Sequence, residues 1–187
     1  EAGFVRTYGS VGQVEPVQAN IRDEASTARA IDGADAVVNC VGILFEDVVA
    51  GDVVDNSVFN CLESGLQGIG IKFDGGGDTI VDNYVDSCDS GIWFNVDTTA
   101  TGNEVTGCEY GLQDYSAATI ECNNIHDNVK GMWIESDSTV QYNDVVDNTD
   151  YGIFVKDDAA VFHFNNIAGN TNYGMQAHTG LAGTVDA

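Results

Sequence analysis

One spacing constrains this chain more than any other: a glycine followed by an apolar residue returns every 20 to 22 residues. The segments are Gly70-Ile71-Lys72-Phe73, Gly91-Ile92-Trp93-Phe94, Gly111-Leu112-Gln113-Asp114, Gly131-Met132-Trp133-Ile134, Gly152-Ile153-Phe154-Val155 and Gly174-Met175-Gln176-Ala177. Their intervals are 21, 20, 20, 21 and 22 residues. A fixed period of this length marks a solenoid, whose units bury their apolar sides only against one another. Helical periodicity does not produce it.

Other positions keep the same register. Asn83, Asn103, Asn123, Asn143 and Asn165 precede the glycines by eight or nine residues, and five residues after each asparagine stands Cys88, Cys108, Asn128, Asn148 or Asn170. Between them lies a β-branched residue: Val85, Val105, Ile125, Val145 or Ile167. Thr79-Ile80, Thr119-Ile120 and Thr139-Val140 open a further strand in their units. In a parallel β-helix, successive coils lie about 4.8 Å apart, so equivalent positions form ladders of like residues. Stacked asparagine amides both donate and accept, which suits an inward turn. The glycine is expected to supply a tight or positive-φ corner before the longest strand. The fold expected is all-β, a parallel β-helix over residues 37–187, with residues 1–36 as a short α/β cap.

The units Asn103-Glu104-Val105-Thr106-Gly107-Cys108 and Asn123-Asn124-Ile125-His126-Asp127-Asn128, each leading into Gly-apolar, resemble the repeats of the pectate-lyase-like right-handed β-helix superfamily. They are especially similar to its periplasmic NosD-type, copper-processing branch. The resemblance runs from about residue 47 onward and is densest from Asn56 to Val185. It implies a right-handed coil, an extracellular, periplasmic or cell-surface setting, and a strand face that meets polysaccharide.

The first part of the chain has a different texture. Residues 11–23 read as a strand and turn. Residues 24–31 read as a short helix capped by Asp23, and Ala36 to Gly42 as a buried strand. "QANIRDEAS" and "GADAVVNCVGILFE" resemble a fragment of an NAD-dependent epimerase/dehydratase of the type related to a complex I accessory subunit. The Gly-rich phosphate loop and the Tyr-x-x-x-Lys pair of such enzymes are absent, so NAD binding is not expected. Gly42-Ile43-Leu44-Phe45 matches Gly91-Ile92-Trp93-Phe94, with Asn39 falling at the Cys88 position and Val53-Val54-Asp55-Asn56 matching Ile80-Val81-Asp82-Asn83. This strand is therefore expected to form the first coil, with the helix as its cap. A small separate α/β lobe is the other reading. At the far end Thr184-Val185 starts another coil before Ala187, which implies either continuation or an edge open to self-association.

Charge narrows the partners. Thirty acidic residues against six basic ones give a net charge of −24. Such a chain repels nucleic acid and anionic membranes, and no apolar stretch is long enough to cross a bilayer. Cys40, Cys61, Cys88, Cys108 and Cys122 show neither CxxC nor metal-ligand spacing. Cys88, Cys108 and Cys61 read as members of the inner ladder. His126, His163 and His178 fall on different faces, so no metal site is expected from them. Acidic turns such as Asp157-Asp158 lack Ca²⁺-loop spacing, although a Ca²⁺ role stays open.

The candidate ligand surface is an outward double row beside the glycines. The inner row is Lys72, Trp93, Gln113, Trp133, Phe154 and Gln176. The outer row is Asp74, Asn95, Tyr115, Glu135, Lys156 and His178. Aromatic, amide and acidic groups together suit stacking on sugar rings. The alternative is that these aromatics are covered by a loop or a neighbouring chain. The proposed contacts are Trp93, Asn95, Gln113, Tyr115, Trp133, Glu135, Phe154 and Lys156. No catalytic residue is assigned, because lysines are few and no stacked Asp pair with a nearby base emerges. Lys156 reads as an ion-pair partner of Glu135. Asp114 occupies an inward slot. It is either a buried carboxyl of raised pKa or, at a strand bulge, a group reaching water or backbone donors. Three classes of function follow: a non-catalytic structural or polysaccharide-binding module, a polysaccharide lyase or hydrolase, and a chimeric chain without evolved activity.

Overall fold

The computed structural model describes residues 38–39, 42–46, 51–62, 68–75, 79–156 and 160–178. These belong to the second of two compact units, 1–37 and 38–187, so the expected N-terminal helix and cap lie outside the described residues. Every regular element among the described residues is a strand, and all pair in parallel.

Three sheets form the walls. Sheet A contains β1 (Val38–Asn39), β4 (Ser57–Phe59), β7 (Tyr84–Asp86), β10 (Glu104–Thr106), β13 (Asn124–His126), β16 (Asp144–Val146) and β19 (Asn166–Ala168). Sheet B contains β2 (Ile43–Glu46), β5 (Ile69–Asp74), β8 (Ser90–Phe94), β11 (Tyr110–Asp114), β14 (Lys130–Ile134), β17 (Tyr151–Val155) and β20 (Tyr173–Ala177). Sheet C contains β3 (Asp52–Val54), β6 (Thr79–Val81), β9 (Thr98–Thr101), β12 (Ala118–Glu121), β15 (Thr139–Gln141) and β18 (Val161–His163). Each strand pairs with the strand three places later, so the chain circles A, B, C and rises one coil per circuit.

The interior is filled by three aliphatic columns. Val58, Val85, Val105, Ile125 and Val145 line sheet A; Ile71, Ile92, Leu112, Met132 and Ile153 line sheet B; Val53, Ile80, Ala100, Ile120 and Val140 line sheet C. All of these are buried.

Two polar ladders pin the corners on either side of sheet A. In the first, Asn83 Nδ2 donates to Asn103 Oδ1 at 2.9 Å, and the same bond repeats from Asn103 to Asn123, Asn123 to Asn143 and Asn143 to Asn165. The backbone N–H of each asparagine donates to the same Oδ1 of the next coil. In the second ladder, Cys108 N–H donates to Asn128 Oδ1 at 2.9 Å and Asn128 N–H to Asn148 Oδ1 at 3.0 Å. Cys88 N–H meets Cys108 Sγ at 3.4 Å, so the sulfur stands where an asparagine oxygen stands elsewhere. Cys61, Cys88, Cys108 and Cys122 are free thiols. The contact with Cys108 and burial push the Cys88 thiol well above its ordinary pKa. Cys88 is 2% exposed, and its thiol packs within the ladder.

The residue before each ladder position is left-handed. Asp82, Gly102, Cys122, Tyr142 and Phe164 precede the first ladder; Ser87, Gly107, Asp127, Asp147 and Gly169 precede the second. The repeating glycines do something else. Gly70, Gly91, Gly111, Gly131, Gly152 and Gly174 do not have positive φ; Gly42 alone in that column does. A Cβ on Gly111 would lie 2.6 Å from the Gly131 carbonyl oxygen and 2.6 Å from Ile125 Cγ2. The glycine column is thus a steric requirement for bringing sheet B against the sheet A core. The expectation of a conformational corner there was misplaced by several residues.

The first coil matches expectation in sheet B, where Ile43 pairs with Ile71 and Leu44 with Lys72. It differs in sheet A, where Asn39 pairs with Val58, in the column of Val85 and not that of Cys88.

Candidate functional site

Sheet B carries the longest strands of the described coils, and its outer face is built from three columns in register. The inner expected row holds: Lys72 pairs with Trp93, Trp93 with Gln113, Gln113 with Trp133, Trp133 with Phe154, and Phe154 with Gln176. The outer row also holds, because the backbone N–H groups of Asn95, Tyr115, Glu135, Lys156 and His178 donate to the preceding coil's carbonyls of Phe73, Phe94, Asp114, Ile134 and Val155. A third column was missed in the sequence: Ile69, Ser90 and Tyr110 align, as do Tyr110 and Lys130 and, further on, Tyr151 and Tyr173. Its signal was available, since each stands immediately before a repeat glycine.

These columns hold two aromatic clusters, Trp93 with Tyr115 and Tyr110 with Trp133, Phe154 and Tyr151. Trp133 stacks on Phe154 with ring centroids 4.4 Å apart and 22° between planes. Trp93 lies 5.4 Å from Tyr115, Tyr110 meets the edge of Trp133 at 6.5 Å, and Tyr151 lies 5.6 Å from Phe154. Trp93 and Trp133 are half-buried, on strands two coils apart, which is about 10 Å along the axis. Much of what covers each ring is its neighbour in the next coil.

Polar groups are threaded through the rings. Ser90 Oγ donates to Gln113 Oε1 at 2.7 Å, and Gln113 Nε2 donates to the Tyr115 hydroxyl at 3.1 Å. Gln113, expected as a ligand contact, is only 3% exposed and instead braces the aromatic cluster. Trp133 Nε1 donates to Glu135 Oε2 at 3.0 Å, and Asn95 Nδ2 to Asp74 Oδ1 at 2.7 Å. Burial raises the pKa of the Tyr115 and Tyr151 hydroxyls. Tyr151 is 5% exposed, and its hydroxyl is a buried side-chain atom with no hydrogen-bond partner among the described residues.

All three lysines of the chain lie on or beside this face. Lys72 pairs with Asp74 at 2.7 Å and sits 5.1 Å from the Trp93 ring centroid. Lys130 pairs with Glu109 at 3.2 Å, donates to the Tyr110 hydroxyl at 2.7 Å and lies 3.9 Å from that ring's centroid. Lys156 pairs with Glu135, the salt bridge expected between coils.

Asp114 faces inward without any bulge, in register with Phe94 and Ile134. It is fully buried and accepts bonds from the Ser116 N–H at 3.1 Å, Ser136 Oγ at 3.0 Å and Ser138 Oγ at 2.5 Å. Burial pushes its carboxyl up to about 6, against the lowering influence of these donors. Outside this corner, Asp97, Thr99, Ala117, Thr119 and Asp137 line an open notch of about 430 Å³ between sheets B and C. Ala117 stands on the coil between those of Asp97 and Asp137.

Elsewhere Tyr142 and Phe164 stack at 5.3 Å and 13°, both exposed and both left-handed. The three histidines are dispersed as expected: His126 in β13, His163 in β18 and His178 just beyond β20. Among the described residues no group of three His, Cys, Asp or Glu side chains is placed to hold a metal ion. Among the same residues no helix is long and apolar enough to cross a membrane.

Comparison with known proteins adds the fold family and nothing finer. No curated protein matches the chain, and no solved structure does. The family described as a right-handed β-helix region matches residues 41–185, most of the chain and all three of its sheets. The chain belongs to the right-handed β-helix family.

Proposed function

We propose that this solenoid is a non-catalytic polysaccharide-binding module of an extracellular, periplasmic or cell-surface protein, and that the outer face of sheet B is its ligand surface. The observation that carries this reading is the aromatic surface of Trp93, Tyr115, Trp133 and Phe154 with hydrogen-bonding groups at its edge. Sugar rings present apolar C–H faces and polar rims. Aromatic side chains flanked by amides and carboxylates complement both. The repeat adds geometry, because a linear polymer laid along the solenoid axis meets a similar environment at successive coils. The likeness of the repeats to pectate-lyase-like proteins supports the same face and the same class of ligand.

The lyase or hydrolase reading draws less support. Asp114 has the raised pKa of a general acid, but it is sealed in the core and cannot touch a bound polymer. Binding to a polysaccharide panel, followed by affinity electrophoresis on the hits, tests the proposal. Retardation by at least one polymer is expected, lost in Trp93→Ala and Trp133→Ala with little change in melting temperature. A blank panel, or variants that change stability alone, would remove the binding function.

A further inference from the structure

Taking the sheet B face as the polysaccharide surface, we infer that the polymer it accepts is uncharged. The first ground is local. Lys72, Lys130 and Lys156, the only lysines in the chain, are each neutralised by a carboxylate on the same face: Asp74, Glu109 and Glu135. Two of those carboxylates are fixed further, Asp74 by the Asn95 amide and Glu135 by Trp133 Nε1. A polyuronate or sulfated polymer would find these cations already paired, and to reach them it would have to displace a resident carboxylate.

The second ground is global. The chain carries a net charge of −24, so the field around the charge-balanced patch opposes the approach of a polyanion. An uncharged glycan meets no such opposition. Its C–H faces stack on Trp93 and Trp133, and its hydroxyls can donate to Asp74 and Glu135, whose carboxylates still have open lone pairs.

The experiment compares the full chain on soluble neutral polymers (a β-glucan and a xylan) with polygalacturonate and alginate. It uses affinity electrophoresis and titration calorimetry at low and high salt, with and without added Ca²⁺. Binding to a neutral polymer is expected, unchanged by salt and Ca²⁺. In Trp133→Ala it should weaken by about tenfold or more. Binding of polygalacturonate or alginate in place of the neutral polymers overturns the inference and leaves the polysaccharide reading standing. Binding to none of the four polymers takes down that reading as well.

Discussion

Asp114 is the residue whose chemistry departs furthest from its neighbours in the repeat. Its column otherwise holds Phe73, Phe94, Ile134, Val155 and Ala177, yet it keeps strand register and full burial. Three donors soften the cost of the charge without removing it, so the folded carboxyl titrates near 6, above its ordinary 3.8. The folded state therefore holds the Asp114 proton more tightly than the unfolded chain does. Stability from this group is complete below pH 3.8, declines as pH rises towards 6, and stays low above that. Asp114→Asn keeps the shape and removes the titration. It is expected to stabilise the protein at pH 7 by on the order of 2 kcal/mol, and to flatten this part of the profile between pH 4 and 6. Urea titrations of both proteins at several pH values measure this. A variant that is destabilised at pH 7, with the slope intact, would refute the assignment. His126 adds a trend of the same sign. Burial lowers its pKa, but hydrogen bonds to Asp127 and Glu104 outweigh burial and hold it above 6.5, so its contribution also fades as pH rises through that range.

At the scale of the element, the ladders and the glycine column set how closely the coils approach. Asn123 donates to the Ala100 and Glu121 carbonyls and to Asn143 Oδ1, while its own Oδ1 accepts from the backbone and side chain of Asn103. Asn123→Ala leaves buried donors and acceptors unpaired on both neighbouring coils and should cost about 3 kcal/mol or more. Asn128→Cys should cost much less, because Cys108 already fills that role one coil earlier. Thermal unfolding of the pair separates a true amide ladder from simple close packing, which would make the two changes similar. Gly111→Ala should destabilise by about 1–3 kcal/mol, since its Cβ would meet backbone and Ile125 at 2.6 Å.

The sequence made the ladders legible because stacking forces the same residue into every coil, which turns a spatial contact into a spacing. Cys88 and Cys108 were readable for the same reason. The function of the glycines was less so, because a glycine needed for space and one needed for φ look alike in a sequence. The left-handed role belongs instead to Asp82, Cys122, Tyr142 and others, which share no side-chain chemistry. On sheet B, period and alternation placed Trp93, Trp133 and Phe154 on the outer face. They could not reveal that Gln113 is buried beneath its neighbours. That depends on where long side chains lean, and the repeat does not encode it.

Across the solenoid, the structural residues and those of the proposed ligand surface are different. The ladders, the glycines and the aliphatic columns point inward or into corners, and they identify the family. The aromatic rings and paired lysines face outward on sheet B. The notch beside Asp97 and Asp137 is the competing location on the same coils, acidic and without aromatic rings. Hydrogen–deuterium exchange with and without a soluble neutral β-glucan tests the central claim most directly. Added protection is predicted in peptides spanning β8, β11, β14 and β17, recurring every 20 to 21 residues, with β9 and β12 unchanged. Protection confined to residues 97–99 and 117–119, or spread evenly over the three sheets, would contradict the assignment of sheet B as the binding face.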